Sequence, residues 1–138
     1  DRDLRRDHPY AAYQELLFMS PVFTEGDVES RMRVKIQEIY ESFKLIYEAL
    51  EAMPQGPLCA EPKPLPSSSG ALGYVESPRG ECFHWVATDR KGRISRWKIH
   101  SPSFVNWPLI QYAVLENLVP DFPLINKSLN LSYSGNDR

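Results

Sequence analysis

Val28-Glu-Ser-Arg-Met-Arg-Val-Lys-Ile-Gln-Glu-Ile-Tyr-Glu-Ser-Phe-Lys-Leu-Ile-Tyr-Glu-Ala-Leu-Glu-Ala-Met53 carries apolar side chains at Met32, Ile36, Ile39, Phe43, Ile46, Leu50 and Met53. The spacing alternates between four and three residues, which places one apolar stripe along one side of an α-helix. Asp27 supplies a side-chain acceptor to cap the start, and Pro54 with Gly56 ends the helix. For each residue of the stripe, plain packing is the simpler role. A stripe left without its partner helix would also drive self-association of the isolated chain.

Outward from this helix the pattern changes. Residues 55–70 are rich in Pro, Ser and Gly and read as a connecting loop without a core of its own. Three strands are expected after it, over 72–77, 81–88 and 94–100. In the middle one Phe83, Trp85 and Ala87 alternate with Cys82, His84 and Val86, and Asp89-Arg-Lys-Gly92 supplies the turn into the third. Asn106 is placed to cap a helix from Trp107 to about Asn117, with Pro108 tolerated in its first turn, and Pro120 opens a further short helix toward Leu129. The fold class is therefore α+β: a long bundle-type helix, a small antiparallel three-stranded sheet and short C-terminal helices. A single domain is expected, with an N-terminal segment and long helix over 1–54, a loop over 55–70, a β-meander over 71–100, and C-terminal helices and tail over 101–138.

The chain has 138 residues, enough for one core, and 42% of them are hydrophobic. A formal charge of -2 gives no general attraction to nucleic acid or to an anionic membrane surface. No apolar run approaches the ~20 residues that cross a bilayer, and no signal peptide is visible. Cys59 and Cys82 are far apart in sequence and fit no metal-ligand spacing, so a reducing compartment is the default. His8, His84 and His100 fall in separate elements. Arg90, Lys91, Arg93, Arg96 and Lys98 cluster around the second hairpin, where a solvated face is the ordinary reading and nucleic-acid binding is not expected. No Ser-His-Asp order, phosphate loop or dinucleotide fingerprint is present.

The tail Ser128-Leu-Asn-Leu-Ser-Tyr-Ser-Gly-Asn-Asp-Arg138 resembles the Ser-Leu-Asp-Pro-Cys-x-x-Cys-x-(Asp/Glu)-Arg ending of nickel-iron hydrogenase large subunits of the membrane-bound, energy-converting type. Ser128, Leu129, Asp137 and Arg138 match, whereas the two cysteine positions fall on Ser132 and Gly135. Other blocks agree in the same order. Glu76-Ser-Pro-Arg-Gly-Glu81 resembles a signature shared by these hydrogenases and by the D-type (49-kilodalton) subunit of respiratory complex I, and Ser101-Pro-Ser-Phe104 resembles the Pro-(Ser/Gly)-Phe that follows it. Asp3-Leu-Arg-Arg-Asp-His-Pro-Tyr10, Thr24-Glu-Gly-Asp-Val28 and Arg31 resemble the stretch that opens the family's long helix.

The resemblance implies the C-terminal half of such a large subunit, nearest in wording to formate hydrogenlyase-type homologues, without the half that carries the first cysteine pair or the quinone-contacting residues. A fragment of a longer protein, inactive when isolated, is the expectation. Because a soft transition metal needs thiolates, no nickel is expected at Ser132 and Gly135, and the chain itself is expected to bind no cofactor. Arg79, Asp137 and Arg138 are the candidate cavity residues. In the hydrogenases the arginine of the Pro-Arg-Gly turn points toward the metal. Here Arg79 either lines a leftover polar cavity, pairs with Asp137, or simply ties the turn to the tail. The implied partners are an iron-sulfur small subunit and a protein like the C-type subunit of complex I, with membrane subunits reached indirectly. The implied location is the cytoplasmic face of a membrane, and the implied electron acceptor is of the quinone type. Two other readings stand beside this one: a non-catalytic assembly module on the same scaffold, and a component of an active nickel-iron hydrogenase, against which the lost cysteines argue.

Overall fold

The Asp27 carboxylate accepts the backbone N–H of Ser30 at 2.7 Å and so starts helix α2, Val28–Glu51. Around this helix the structure, a computed structural model that describes residues 2–57 and 59–136, arranges five shorter helices and one sheet. The order is α1 Leu4–Asp7, α2, strands β1 Gly70–Ser77, β2 Gly80–Thr88 and β3 Ile94–His100, then α3 Pro102–Asn106, α4 Ile110–Ala113, α5 Phe122–Leu129 and α6 Tyr133–Asn136. The fold is α+β, with the strands in the order β1-β2-β3 and both pairs antiparallel.

The strands lie within two residues of the positions read from the sequence. The C-terminal helices differ more. Helix begins at Pro102, earlier than expected, because a proline at the first helical position lacks only an N–H that has no partner there anyway. Pro108 then tightens the chain into a 3₁₀ turn at Trp107–Leu109, and Glu116, at φ 61°, takes the chain out of helical geometry before Asn117. Asn106 does not cap a helix with its side chain. Its Nδ2 instead donates to the carbonyl of Arg79 at 2.8 Å.

Pro78 and Arg79 form the two-residue loop between β1 and β2, with Ser77 opposite Gly80. Pro78 holds φ negative, so the loop cannot adopt the primed turns whose twist matches that of paired strands. Gly80 takes up the mismatch at φ 120°, with its Cα close enough to Pro102 that an added Cβ would stand 3.3 Å from the proline Cβ.

The N-terminal block docks on β1 at Glu76 and Tyr74, with the Tyr10 and Tyr74 rings 5.7 Å apart. Glu76 accepts the N–H of Leu4 at 3.0 Å, and the Glu76 N–H donates to the Tyr10 hydroxyl at 3.0 Å. Asp3 sits beside this contact, 5% exposed, bridged to Arg5 at 2.7 Å and accepting the Ser20 hydroxyl. Among the described residues Leu4, Leu45 and Ile125 are the buried hydrophobic side chains. The α2 stripe points the other way: Met32, Ile36, Ile39, Phe43, Ile46, Leu50 and Met53 are all exposed.

Burial pushes the Asp3 carboxyl up, but hydrogen bonds from Arg5 and Ser20 outweigh it and leave the group below its ordinary value of 3.8. A carboxyl depressed on folding stabilises above its unfolded value, and that contribution drains away as pH falls through the lower folded value. Asp3→Asn should therefore cost roughly 2 kcal/mol at neutral pH, and the deficit should shrink as pH falls through and below the ordinary carboxylate range in denaturant unfolding. Gly80→Ala should cost roughly 2 kcal/mol at any pH, because alanine is strained at that φ.

Candidate functional site

Arg79 is positioned by the hairpin loop and held from two sides. Its carbonyl accepts from Asn106 in α3, and its Nε donates to the carbonyl of Asn130, the left-handed residue at φ 52° that ends α5. Asparagine suits that backbone geometry better than most side-chain-bearing residues. The terminal nitrogens of the guanidinium make no hydrogen bond to a described residue and face a cleft of about 210 Å³.

The cleft lies between the hairpin loop, α2 and the end of α5, and Arg31, Lys35 and Glu38 line it with Arg79. Arg31 reaches across to α5, donating from Nε to the Ser128 hydroxyl at 2.8 Å and from Nη1 to the Gly26 carbonyl at 2.6 Å. The Lys35 ammonium donates to the Ser128 carbonyl. Burial pushes Lys35 below its ordinary value; Glu38 opposes this, and Arg31, Arg79 and Lys127 add to the fall. Burial pushes the Glu38 carboxyl up, against the pull of Arg5. The two groups, one turn apart on α2, thus titrate closer together than they would in water.

The tail forms a second small site. Ser132 Oγ accepts the N–H of Gly135 at 3.1 Å, capping α6, while the Ser132 N–H donates to the almost fully buried Ser103 hydroxyl at 2.9 Å. A Cβ on Gly135 would stand 2.8 Å from Ser101 Oγ and 3.2 Å from both Cβ and Oγ of Ser132. Cys82, His84 and Ser134 share a polar cleft of about 260 Å³ with these residues. His84 Nδ1 accepts from the Trp97 indole at 3.1 Å, which assigns its proton to the other nitrogen. Among the described residues no three of His, Cys, Asp and Glu gather as a metal-ligand set.

Of the candidate cavity residues, Asp137 and Arg138 lie outside the described residues, and with them the suggested pairing of Arg79 with Asp137. The structure brings Arg79 together with three α2 residues, Arg31, Lys35 and Glu38, of which only Arg31 stands out in the sequence. The other two carry a weak signal: polar residues at 31, 35 and 38 share one helical face that flanks the stripe. The basic hairpin is separate from this cleft. Asp89 accepts the N–H groups of Lys91 and Arg93 and pairs with the Arg93 guanidinium at 2.9 Å, a self-contained, exposed turn. Cys59 is exposed, unlike the usual buried free cysteine.

The family model described as respiratory-chain NADH dehydrogenase, 49 Kd subunit, matches residues 1–71 and 65–138. The chain is similar to hydrogenase-4 component G of Escherichia coli (strain K12), at 41% identity over 99% of this chain and 25% of the relative. It is also similar to formate hydrogenlyase subunit 5 of the same organism, at 39% over 99% of this chain and 24% of the relative. NADH-quinone oxidoreductase subunit 4 of Thermus thermophilus is 33% identical over 93% of this chain and 38% of its own length. The chain thus spans between about a quarter and two-fifths of the curated relatives it matches. By its collinear match from end to end, the chain belongs to the family of the 49 Kd subunit of respiratory-chain NADH dehydrogenase, which takes in the related hydrogenase subunits.

Proposed function

We propose that this chain is the part of a complex I-like, energy-converting hydrogenase-related oxidoreductase that walls an electron-acceptor cavity, quinone-type, beside an iron-sulfur partner subunit, and that it does so without nickel. The observation that carries the reading is the state of the two positions at which the hydrogenase pattern has thiolates. The Ser132 oxygen is engaged as a helix cap, and Gly135 is packed too closely for a side chain to enter without displacing Ser101 and Ser132. A neutral hydroxyl and a hydrogen atom do not fit a soft metal ion, so no step is assigned to one.

In this reading the chain's own contribution is positional and electrostatic. Asn106 and Asn130 fix Arg79 from opposite sides, so its guanidinium presents a permanent positive charge to the cleft with little freedom to move. Negative charge arriving nearby on a reduced acceptor would be stabilised by such a fixed donor. Lys35 and Glu38, shifted toward each other, are placed to exchange a proton with a group in the same cleft. The exposed apolar face of α2 supports work inside a larger assembly, since monomers rarely leave so continuous a stripe in water. This reading puts the assembly at the cytoplasmic face of a membrane, with the chain peripheral to it.

The test is elemental analysis by mass spectrometry of the protein purified with its iron-sulfur partner. Iron without stoichiometric nickel is the expected result, accompanied by quinone-linked turnover of the intact complex. A nickel ion for every chain would overturn the proposal.

A further inference from the structure

The cleft beside Arg79 has an imbalance of charge that its own residues do not correct. Arg31, Lys35 and Arg79 all reach it, and the groups that hold their heads are neutral: the Ser128 hydroxyl and carbonyl and the carbonyls of Gly26 and Asn130. Among the described residues no carboxylate comes within ion-pairing distance of any of the three, although exposed arginines elsewhere in the chain find one, as Arg33 finds Glu29 at 2.5 Å. Glu38 is the one carboxylate in the lining, and burial favours its neutral form. Lys35 meanwhile feels Arg31, Arg79 and Lys127 as like charges. Half-buried cations with this little compensation raise the local affinity for an anion.

Geometry points to the same ligand. The terminal nitrogens of Arg79 and the second terminal nitrogen of Arg31 make no hydrogen bond to a described residue, and a guanidinium fork matches two oxygens on one centre. The cleft, about 210 Å³, admits a group of a few heavy atoms, and Leu109, Leu129 and Leu131 give it an apolar side. We propose that this cleft is an oxyanion site that takes one carboxylate or similar small anion, held by Arg79 and Arg31 and neutralised by Lys35. The occupant is a free small oxyanion; acetate and inorganic phosphate, the two probes, differ in charge and in number of oxygens. The inference is independent of the redox reading, because its test needs no turnover.

The experiment titrates sodium acetate, and in parallel inorganic phosphate, into the full chain at constant ionic strength. It follows thermal unfolding and the arginine Nε–H resonances. The wild type should show a saturable rise in Tm, and Arg79→Gln should weaken the apparent Kd at least about tenfold. If Arg79→Gln does not fold, Arg79→Lys decides: it keeps the charge, removes the fork and should weaken the response by a similar factor. Silence of the wild type overturns the proposal, as does a response that the Arg79 variant leaves undiminished.

Discussion

A two-residue loop at Pro78 and Arg79 leaves a single residue to join three separate stretches of chain. Pro78 dictates the turn, Gly80 absorbs its twist, and Arg79 is left with its carbonyl facing α3 and its side chain facing the end of α5. The two asparagines that meet it, Asn106 and Asn130, come from α3 and from the end of α5. Polar groups thus do the joining that a hydrophobic core does in most domains. Only Leu4, Leu45 and Ile125 are buried hydrophobics among the described residues, so hydrogen bonds that would be secondary elsewhere decide how sheet and helices sit together.

The same arrangement explains how the cleft comes to be polar. α2 turns its apolar stripe outward and presents Arg31, Lys35 and Glu38 to the rest of the chain. Ser128 receives both Arg31 and Lys35, one on its hydroxyl and one on its carbonyl, so cations on neutral acceptors stitch α2 to α5. A contact of that kind stays sensitive to any charge brought near it.

Much of the fold was legible in the sequence. The alternating four-and-three spacing and Asp27 located α2, and the alternation around Phe83 to Ala87 located the sheet, because both patterns are local. The C-terminal helices were less legible. Two prolines six residues apart, Pro102 and Pro108, each suit a helix start, and sequence spacing alone did not say which would win or that Asn106 would bond to a loop far away in the chain. The site was legible only in part. Arg79, Ser132 and Gly135 stand in motifs, whereas the roles of Lys35, Glu38, Asn130 and Glu76 depend on partners many residues distant. The direction of the stripe was equally hidden, since an apolar face does not say whether what it packs against belongs to the same stretch of chain.

The bond between Glu76 and Leu4 spans 72 residues of sequence, whereas the β1-β2 register is set by neighbours across a two-residue loop. Loop-closure entropy must be met before the distant contact returns anything, so the hairpin can assemble early and alone while the block around α1 waits for it. During synthesis that block leaves the ribosome before the sheet it docks on, and is secured after it. The Leu4 N–H and the Tyr10 hydroxyl must stay solvated until β1 has been made, and the charged character of that block suits a segment obliged to spend that interval in water.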